Sequence, residues 1–364
     1  MEDPSDEPKK HGMHVLYALA CIVIVIGGLK AAAPLLVPVV VAFFLSVLSL
    51  PILRVLRNWG LPRFVAVLAT IVVDIGIISP IALVSFNLVG EFQGEVKNYQ
   101  DKITSKTADW LKYLEEHDIR IELEQEKVNE YIEDGVKQLL GFLGKTIAVL
   151  KDVVFILIVM IFFLTEAGGF RRKLNAIHQA RGPDLERFQN TAKDIQKYLG
   201  IKTAISSITG VLAGLLTWSL DVNFPVLWAL VAFIFNYIPA IGSIIASFPP
   251  AILALVDQSP STAVLVLLGY LAINMVLGNF IEPMLMGQRF GVSTSVVILS
   301  VLFWGWVWGL VGMFLAVPLT MVVKVILDNS DDLRWLSIAM GKREEPLLAE
   351  GGVDDGDEPG EADD

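Results

Sequence analysis

The sequence predicts an all-α polytopic membrane protein with about eight hydrophobic segments. Of its 364 residues, 54% are hydrophobic and only 18% are charged. Soluble domains run nearer to ~45–50% apolar and ~25% charged. The apolar residues come in long uncharged blocks, among them Leu35–Leu53, Val153–Leu164 and Phe290–Val323, and a bilayer-crossing helix needs ~20 mostly apolar residues. A single cysteine, Cys21, cannot form an internal disulfide, so a disulfide-stapled scaffold is excluded along with collagenous and disordered chains.

The elements follow in chain order. Residues 1–14 are read as a cytoplasmic N-terminus. Lys9, Lys10 and His11 before an apolar run, with Ala31, Ala32 and Ala33 behind it, are similar to a signal peptide. Pro34 and a second apolar block follow at once, so the run is read as a retained first helix. Segments one to three occupy about 15–33, 35–56 and 64–89, within 15–90. Segment four is 146–165, five 203–220 and seven 262–281. The sixth (224–256) and eighth (292–327) are long and interrupted. Short loops rich in Lys and Arg mark the cytoplasmic side. Arg54, Arg57 and Arg63 lie between segments two and three, and 166–202 holds eight Lys or Arg against four acids. Two spans separate these loops, so both fit one side, with both chain termini cytoplasmic.

The link at 91–145 then lies outside. Phe92, Val96, Tyr99, Ile103, Trp110 and Leu114 fall on one helical face, and a second stripe begins at Val128. An extracytoplasmic helical hairpin is expected, as an oligomer contact, a strut or a substrate gate. Within 146–202, Leu185, Phe188, Ala192, Ile195 and Leu199 predict a cytoplasmic amphipathic linker. The formal net charge of −11 is concentrated in the C-terminal tail, where Glu350–Asp364 holds eight acids and no base. Residues 331–364 are read as an acidic disordered tail, and this balance offers nothing to nucleic acid.

The transport core is assigned to 203–330. Segment six has 33 residues and segment eight 36. As unbroken helices each would run roughly 50 Å, against a hydrocarbon thickness of ~30 Å. Segment six contains Asn236-Tyr237-Ile238-Pro239-Ala240-Ile241-Gly242 and Pro249-Pro250; segment eight contains Gly305, Gly309, Gly312 and Pro318. Proline removes an amide donor and glycine permits bent backbone. Irregular backbone at membrane depth survives only when shielded by protein or lining a cavity, and paired broken segments point to a transporter site. Both segments are therefore expected to be re-entrant hairpins with tips meeting near the membrane middle, the alternative being two tilted or kinked spans.

Asn279-Phe280-Ile281-Glu282-Pro283-Met284-Leu285-Met286-Gly287-Gln288-Arg289-Phe290-Gly291, the Gly305…Pro318 stretch and Tyr237–Ser243 resemble the signatures of the autoinducer-2 exporter (AI-2E) family. The resemblance covers about 12–330. It implies a multi-pass transporter of the bacterial plasma (inner) membrane, homo-oligomeric, with a pentamer one arrangement. Some family members are linked to export of a furanone-type quorum signal and others to sodium/proton exchange. Phe303-Trp304-Gly305-Trp306-Val307-Trp308-Gly309 is bulkier than the family's small-residue run.

Candidate substrate or ion-pathway residues follow. Asp74 is a mid-segment acid, and such acids are costly and face an interior or cavity. Its readings are a proton- or cation-coupling carboxylate or a structural partner inside the bundle. Asn236, Asn274 and Asn279 offer uncharged donors and acceptors, for a polyol or as helix–helix glue. Glu282, before Pro283, is placed at the interface, with proton or cation handling as its functional role. Arg289, after the Gly287 turn, is a candidate for an anionic substrate or a lipid headgroup. Pro239, Gly242, Gly305, Gly309, Gly312 and Pro318 shape the broken backbone. Trp304, Trp306 and Trp308 are read as packing or anchoring groups, with ring stacking as the sharper alternative. Gly210 and Gly214 have a spacing that lets helices approach closely. No nucleotide loop, metal motif or nucleophile elbow occurs, so neither an enzyme nor an ATP-driven pump is expected. No cofactor is expected beyond a coupling H+ or Na+. The leading expectation is alternating-access export of a small polar solute such as autoinducer-2. Sodium/proton antiport and a non-transporting membrane scaffold are the alternatives.

Overall fold

The computed structural model describes residues 7–116, scattered positions between 127 and 141, and residues 152–179, 185–239, 241–286, 292–330 and 333–341. All regular structure among these residues is helical: α1 (Glu7–Ala31), α2 (Ala33–Asn58), α3 (Arg63–Glu116), α4 (Val153–Gln179), α5 (Leu185–Ser219), α6 (Pro225–Phe235) and α7 (Gly242–Asp257). Then come α8 (Pro260–Asn274), a π-helical stretch (Met275–Ile281), α9 (Glu282–Met286), α10 (Thr294–Phe314), α11 (Ala316–Asp328) and α12 (Arg334–Met340). Among the described residues, four stretches are long and apolar enough to cross a membrane by length and composition: Ala33–Asn58, Thr191–Ser219, Pro260–Met286 and Thr294–Phe314, the last kinked at Gly309. Large apolar side chains are widely exposed, Val23, Phe162, Leu265 and Leu299 among them, as suits a chain solvated by hydrocarbon.

Two cores form. In the smaller, Ala42 and Leu53 of α2 pack against Val67 and Ile71 of α3 and Met160 and Leu164 of α4. Left-handed Gly60 (φ 86) ends α2, and the Arg63 guanidinium donates to the Thr165 carbonyl across the same end. The larger core joins α5 to the last third of the chain through Trp228, Val231, Ala246, Val266, Val301 and Trp304. The glycines of α5 allow this approach: a Cβ at Gly210 would lie 2.8 Å from the Ala229 carbonyl oxygen, and one at Gly214 would lie 2.9 Å from the Ala229 Cβ.

The chain reverses direction inside both long segments. In the first, α6 and α7 are antiparallel. Asn223 Nδ2 donates to Asp257 Oδ2 at 2.8 Å, and Gln258 Nε2 donates to the Leu220 carbonyl at 2.9 Å. Residues 34 apart would be separated by roughly 50 Å along one straight helix. The turn at 236–241 is sealed by Gly242, where a Cβ would fall 1.8 Å from the Phe235 carbonyl oxygen. The second reversal lies within the apolar stretch Thr294–Phe314. Gly309 has φ 63 and ψ −141, which ends the regular helix at Trp308. Trp304 Nε1 then donates to Thr320 Oγ1 of α11 at 3.2 Å, so α11 returns alongside α10. Gly312 permits this because a Cβ there would sit 2.0 Å from the Trp304 carbonyl oxygen.

Two expected boundaries fall inside continuous helices. α3 is one 54-residue helix that crosses position 90/91 without a break, so segment three and the first arm of the outer insertion are a single rod. Its second half packs on the base of the first reversal: Phe92 meets Phe224 and Trp228 edge-on, and Lys102 Nζ lies 2.9 Å from Asp257 Oδ1. Likewise α5 carries the amphipathic stretch and segment five as one 35-residue helix. Helix propensity is indifferent to a change from polar to apolar surroundings, so these composition shifts do not interrupt the backbone. The second outer stripe and the acidic tail fall largely or wholly outside the described residues.

Gly242→Ala and Gly312→Ala are each expected to destabilise the protein by about 1–3 kcal/mol through overpacking against backbone oxygen, measured by thermal unfolding of the purified chain. The Asp257 carboxylate, through its hydrogen bond and its charge, holds the exposed Lys102 ammonium above the ordinary lysine value of 10.5. A raised lysine pKa contributes stability below the unfolded value and loses it as pH rises through the folded one. The difference in thermal stability between the parent and Asp257→Asn is thus expected to shrink above pH 10.5, which pH-dependent melting checks.

Candidate functional site between two chain reversals

α5 supplies the floor of the site. Lys202, Ser206, Thr209, Ala213 and Thr217 follow each other by 4, 3, 4 and 4 residues and therefore share one helical face. All five are buried. Thr217 bonds the Ala213 carbonyl of its own helix, the Thr209 hydroxyl has no partner among the described residues, and Ser206 is met by the first reversal. Asn236, at the C-terminal end of α6, donates from Nδ2 to Ser206 Oγ at 2.9 Å and accepts at Oδ1 from Ser243 Oγ at 3.1 Å. Tyr237 donates its hydroxyl proton to Thr203 Oγ1 at 2.7 Å. The turn at 236–241 is thereby tied to the middle of α5.

One turn toward the start of α5, Lys202 Nζ bonds both Glu282 carboxylate oxygens, at 2.7 and 2.9 Å. The two side chains are 4% and 17% exposed. Glu282 begins α9 directly after the π-helical stretch. Pro283 has no amide proton to give the helix, and the widened turn before it swings Glu282 toward α5. The expected interfacial glutamate is therefore half of a buried ion pair.

The second reversal meets the first. The Tyr237 and Phe314 rings lie 6.4 Å apart, centroid to centroid. Between them and α2 lies a cavity of about 300 Å³, bordered by Val41, Phe44, Leu45 and Leu48 of α2, Leu199 and Thr203 of α5, and residues of both reversals. Its wall is apolar apart from the Thr203 and Tyr237 hydroxyls.

The structure gathers some of the expected residues here and disperses others. Asn236, Pro239 and Gly242 form the first turn, while Gly305, Gly309, Gly312 and Pro318 build the second; Pro318 is buried in the first turn of α11. Gly305 lies where a Cβ would meet Met313. Asn274 folds its side chain over Gly278, 2.8 Å from where a Cβ would stand. Asn279 and Pro283 are exposed on the far face of the α8–α9 rod, so Asn279 does not border the cavity. Asp74 is buried between α3 and α2, hydrogen-bonded to Ser49, with Oδ2 lacking a partner among the described residues. Ser49 shares a face of α2 with Ala42, Leu45 and Leu53, so it lies one turn from the Leu45 edge of the cavity, while Phe44 and Leu48 point to another side. Gly287 and Arg289 lie outside the described residues. The tryptophans follow the packing reading: Trp304 bonds Thr320, Trp308 Nε1 donates to the Leu29 carbonyl at 3.0 Å, and Trp306 stacks under Lys30. Lys202, Thr203, Ser206, Tyr237 and Ser243 were not among the expected site residues. The polar face of α5 was the signal for two of them, Lys202 and Ser206.

Residues 19–332 match the profile described as AI-2E family transporter. The chain belongs to the AI-2E transporter family. It is 33% identical to a provisionally named transport protein of Haemophilus influenzae over 347 residues, covering 91% of this chain and 97% of that one. It is also 33% identical to the AI-2 transport protein TqsA of Escherichia coli K12, covering 88% and 93% of the two chains. The provisionally named transport protein YhhT of the same organism is similar at 33% identity, with 94% and 97% covered. In this AI-2E chain, then, the two reversals and the ion-paired rod occupy a protein of transporter lineage that crosses the membrane several times.

Removing one member of a buried ion pair strands the other charge, at about 3–5 kcal/mol, whereas replacing both with apolar groups is close to neutral. Lys202→Met is expected to be strongly destabilising and Lys202→Met with Glu282→Leu much less so, as thermal unfolding of the single and double variants shows.

Proposed function

We propose that this AI-2E chain is a secondary transporter that carries a small uncharged solute by alternating access. The observation that carries the reading is the meeting of two opposed chain reversals across a cavity, at Tyr237 and Phe314. The bases of the two reversals lie at opposite ends of the bundle. The first is bound to Lys102 and Asn223, while the second closes where the Ser293 amide donates to the Met340 carbonyl at 3.0 Å. In the bilayer these become two re-entrant hairpins, one opening to each side, within a bacterial plasma membrane and with both chain termini cytoplasmic. The uninterrupted part of α10, Thr294 to Trp308, is 15 residues long, or roughly 22 Å. That is short of the ~30 Å hydrocarbon layer, which supports re-entry over spanning. The α2–α3–α4 bundle serves as scaffold, and through it the protein works as a homo-oligomer. An elevator-like slide of the hairpins against α2 exposes the cavity to each side in turn. Autoinducer-2, for which the TqsA relative is named, is the first cargo to test.

A second reading, sodium/proton antiport, is favoured by the buried Asp74 carboxylate with one oxygen unpartnered. Purified protein in liposomes separates the two. Carrier-mediated solute flux, reduced at least about tenfold by Tyr237→Trp (roughly 1.4 kcal/mol or more of lost binding), is expected. If neither solute flux nor any ion-gradient effect occurs, the transport reading falls. Sodium-dependent dissipation of a pH gradient that vanishes in Asp74→Asn would move the function to antiport. A cysteine at Arg289 is expected to react with an impermeant reagent only from the cytoplasmic side, and labelling from outside alone would remove the hairpin topology.

A further inference from the structure

The cavity between the reversals has a defined chemistry. Four aromatic rings, Phe44, Phe233, Tyr237 and Phe314, border it together with Leu45 and Thr203. Phe233 meets Tyr237 edge-on at 5.6 Å, and Tyr237 tilts against Phe314 at 57°. Such arrangements leave ring faces and edges free for a further ring. Among the described residues no charged side chain borders the space, and moving a charged ligand into it would cost far more than packing returns.

The hydroxyls decide the polarity of the ligand. Tyr237 gives its proton to Thr203, and Thr203 gives its own to the Leu199 carbonyl at 2.7 Å. Both protons are committed, yet each oxygen keeps a lone pair. The wall therefore accepts hydrogen bonds and does not donate them. A solute with several hydroxyls would leave most of them unpaired, at about 1–3 kcal/mol each. A solute with one donor and an apolar body loses nothing.

From this pattern we infer that the cavity binds an uncharged aromatic molecule bearing one N–H or O–H group, of the indole or phenol class. The ring lies among the four aromatic side chains, and its donor bonds the Tyr237–Thr203 oxygens. A volume of about 300 Å³ suits a one- or two-ring solute. The inference rests on the transport reading in taking this cavity as the place where cargo sits, and within uncharged solutes it favours this class over a more polar one such as autoinducer-2.

The test is equilibrium binding of tritiated indole to the full chain in phosphatidylcholine nanodiscs, with empty nanodiscs subtracted. Saturable binding is expected, displaced by phenol but not by glycerol or tetramethylammonium. 1-Methylindole, which lacks the donor, should compete about fivefold less well, the worth of one hydrogen bond. Leu45→Trp, which fills the space from α2, should abolish the saturable component while thermal unfolding stays near that of the parent. Absence of saturable binding overturns the inference, as does undiminished binding in Leu45→Trp or equal competition by 1-methylindole. Saturable indole binding without carrier-mediated flux of any solute would keep the site and remove the transport reading; flux without such binding would do the reverse.

Discussion

A chain that turns back on itself in apolar surroundings must hide the backbone groups its turn leaves unpaired. This constraint organises the last third of the protein. Each reversal requires a glycine where any side chain would strike a carbonyl oxygen, Gly242 against Phe235 and Gly312 against Trp304. Each also requires a protein surface to cover the exposed turn. The first reversal takes the polar face of α5, through Ser206 and Thr203. The two then cover one another through Tyr237 and Phe314. The cavity is the space that this mutual covering leaves unfilled.

The bonding is unevenly distributed along the first reversal. Its base is held by amide and ionic groups: Asn223 and Lys102 on Asp257, and Gln258 on two carbonyls. The turn itself is held by single neutral hydrogen bonds and ring contacts. Segments held by fewer and weaker contacts open first, so the turn opens locally more readily than the base. The Lys202–Glu282 pair sits just below, joining α5 to the rod that leads into the second reversal. Tip movement and the geometry of that rod are thereby linked through one buried charge pair.

Much of this was readable from residue type and spacing. Excess length together with Pro239, Gly242, Gly309 and Gly312 marked the two interrupted segments, and the structure reverses direction at both. Gly210 and Gly214 foretold the close approach of α5 to α6. What spacing alone did not reveal was partnership. Glu282 looked interfacial because its apolar neighbours end there, but Lys202, assigned to the preceding basic link, reaches it from 80 residues away. Asp74 and Asn279 were recognised as polar groups in apolar runs, yet a run does not state which face meets protein. One is buried against α2 and the other is exposed. The boundary expected at 90/91 falls inside a continuous helix, since the change from apolar to charged residues alters solvation and leaves helical geometry intact.

The unbroken course of α3 has a mechanical consequence. At 54 residues it is a stiff rod of roughly 80 Å. One end is rooted among α2 and α4, and its midsection is clamped to the base of the first reversal through Phe92, Tyr99 and Lys102. Torque applied beyond that clamp is transmitted as leverage on α6 and α7. A macromolecule gripping the distal end could reset the pitch of α6 and α7 from a distance, without touching the cavity beside Tyr237.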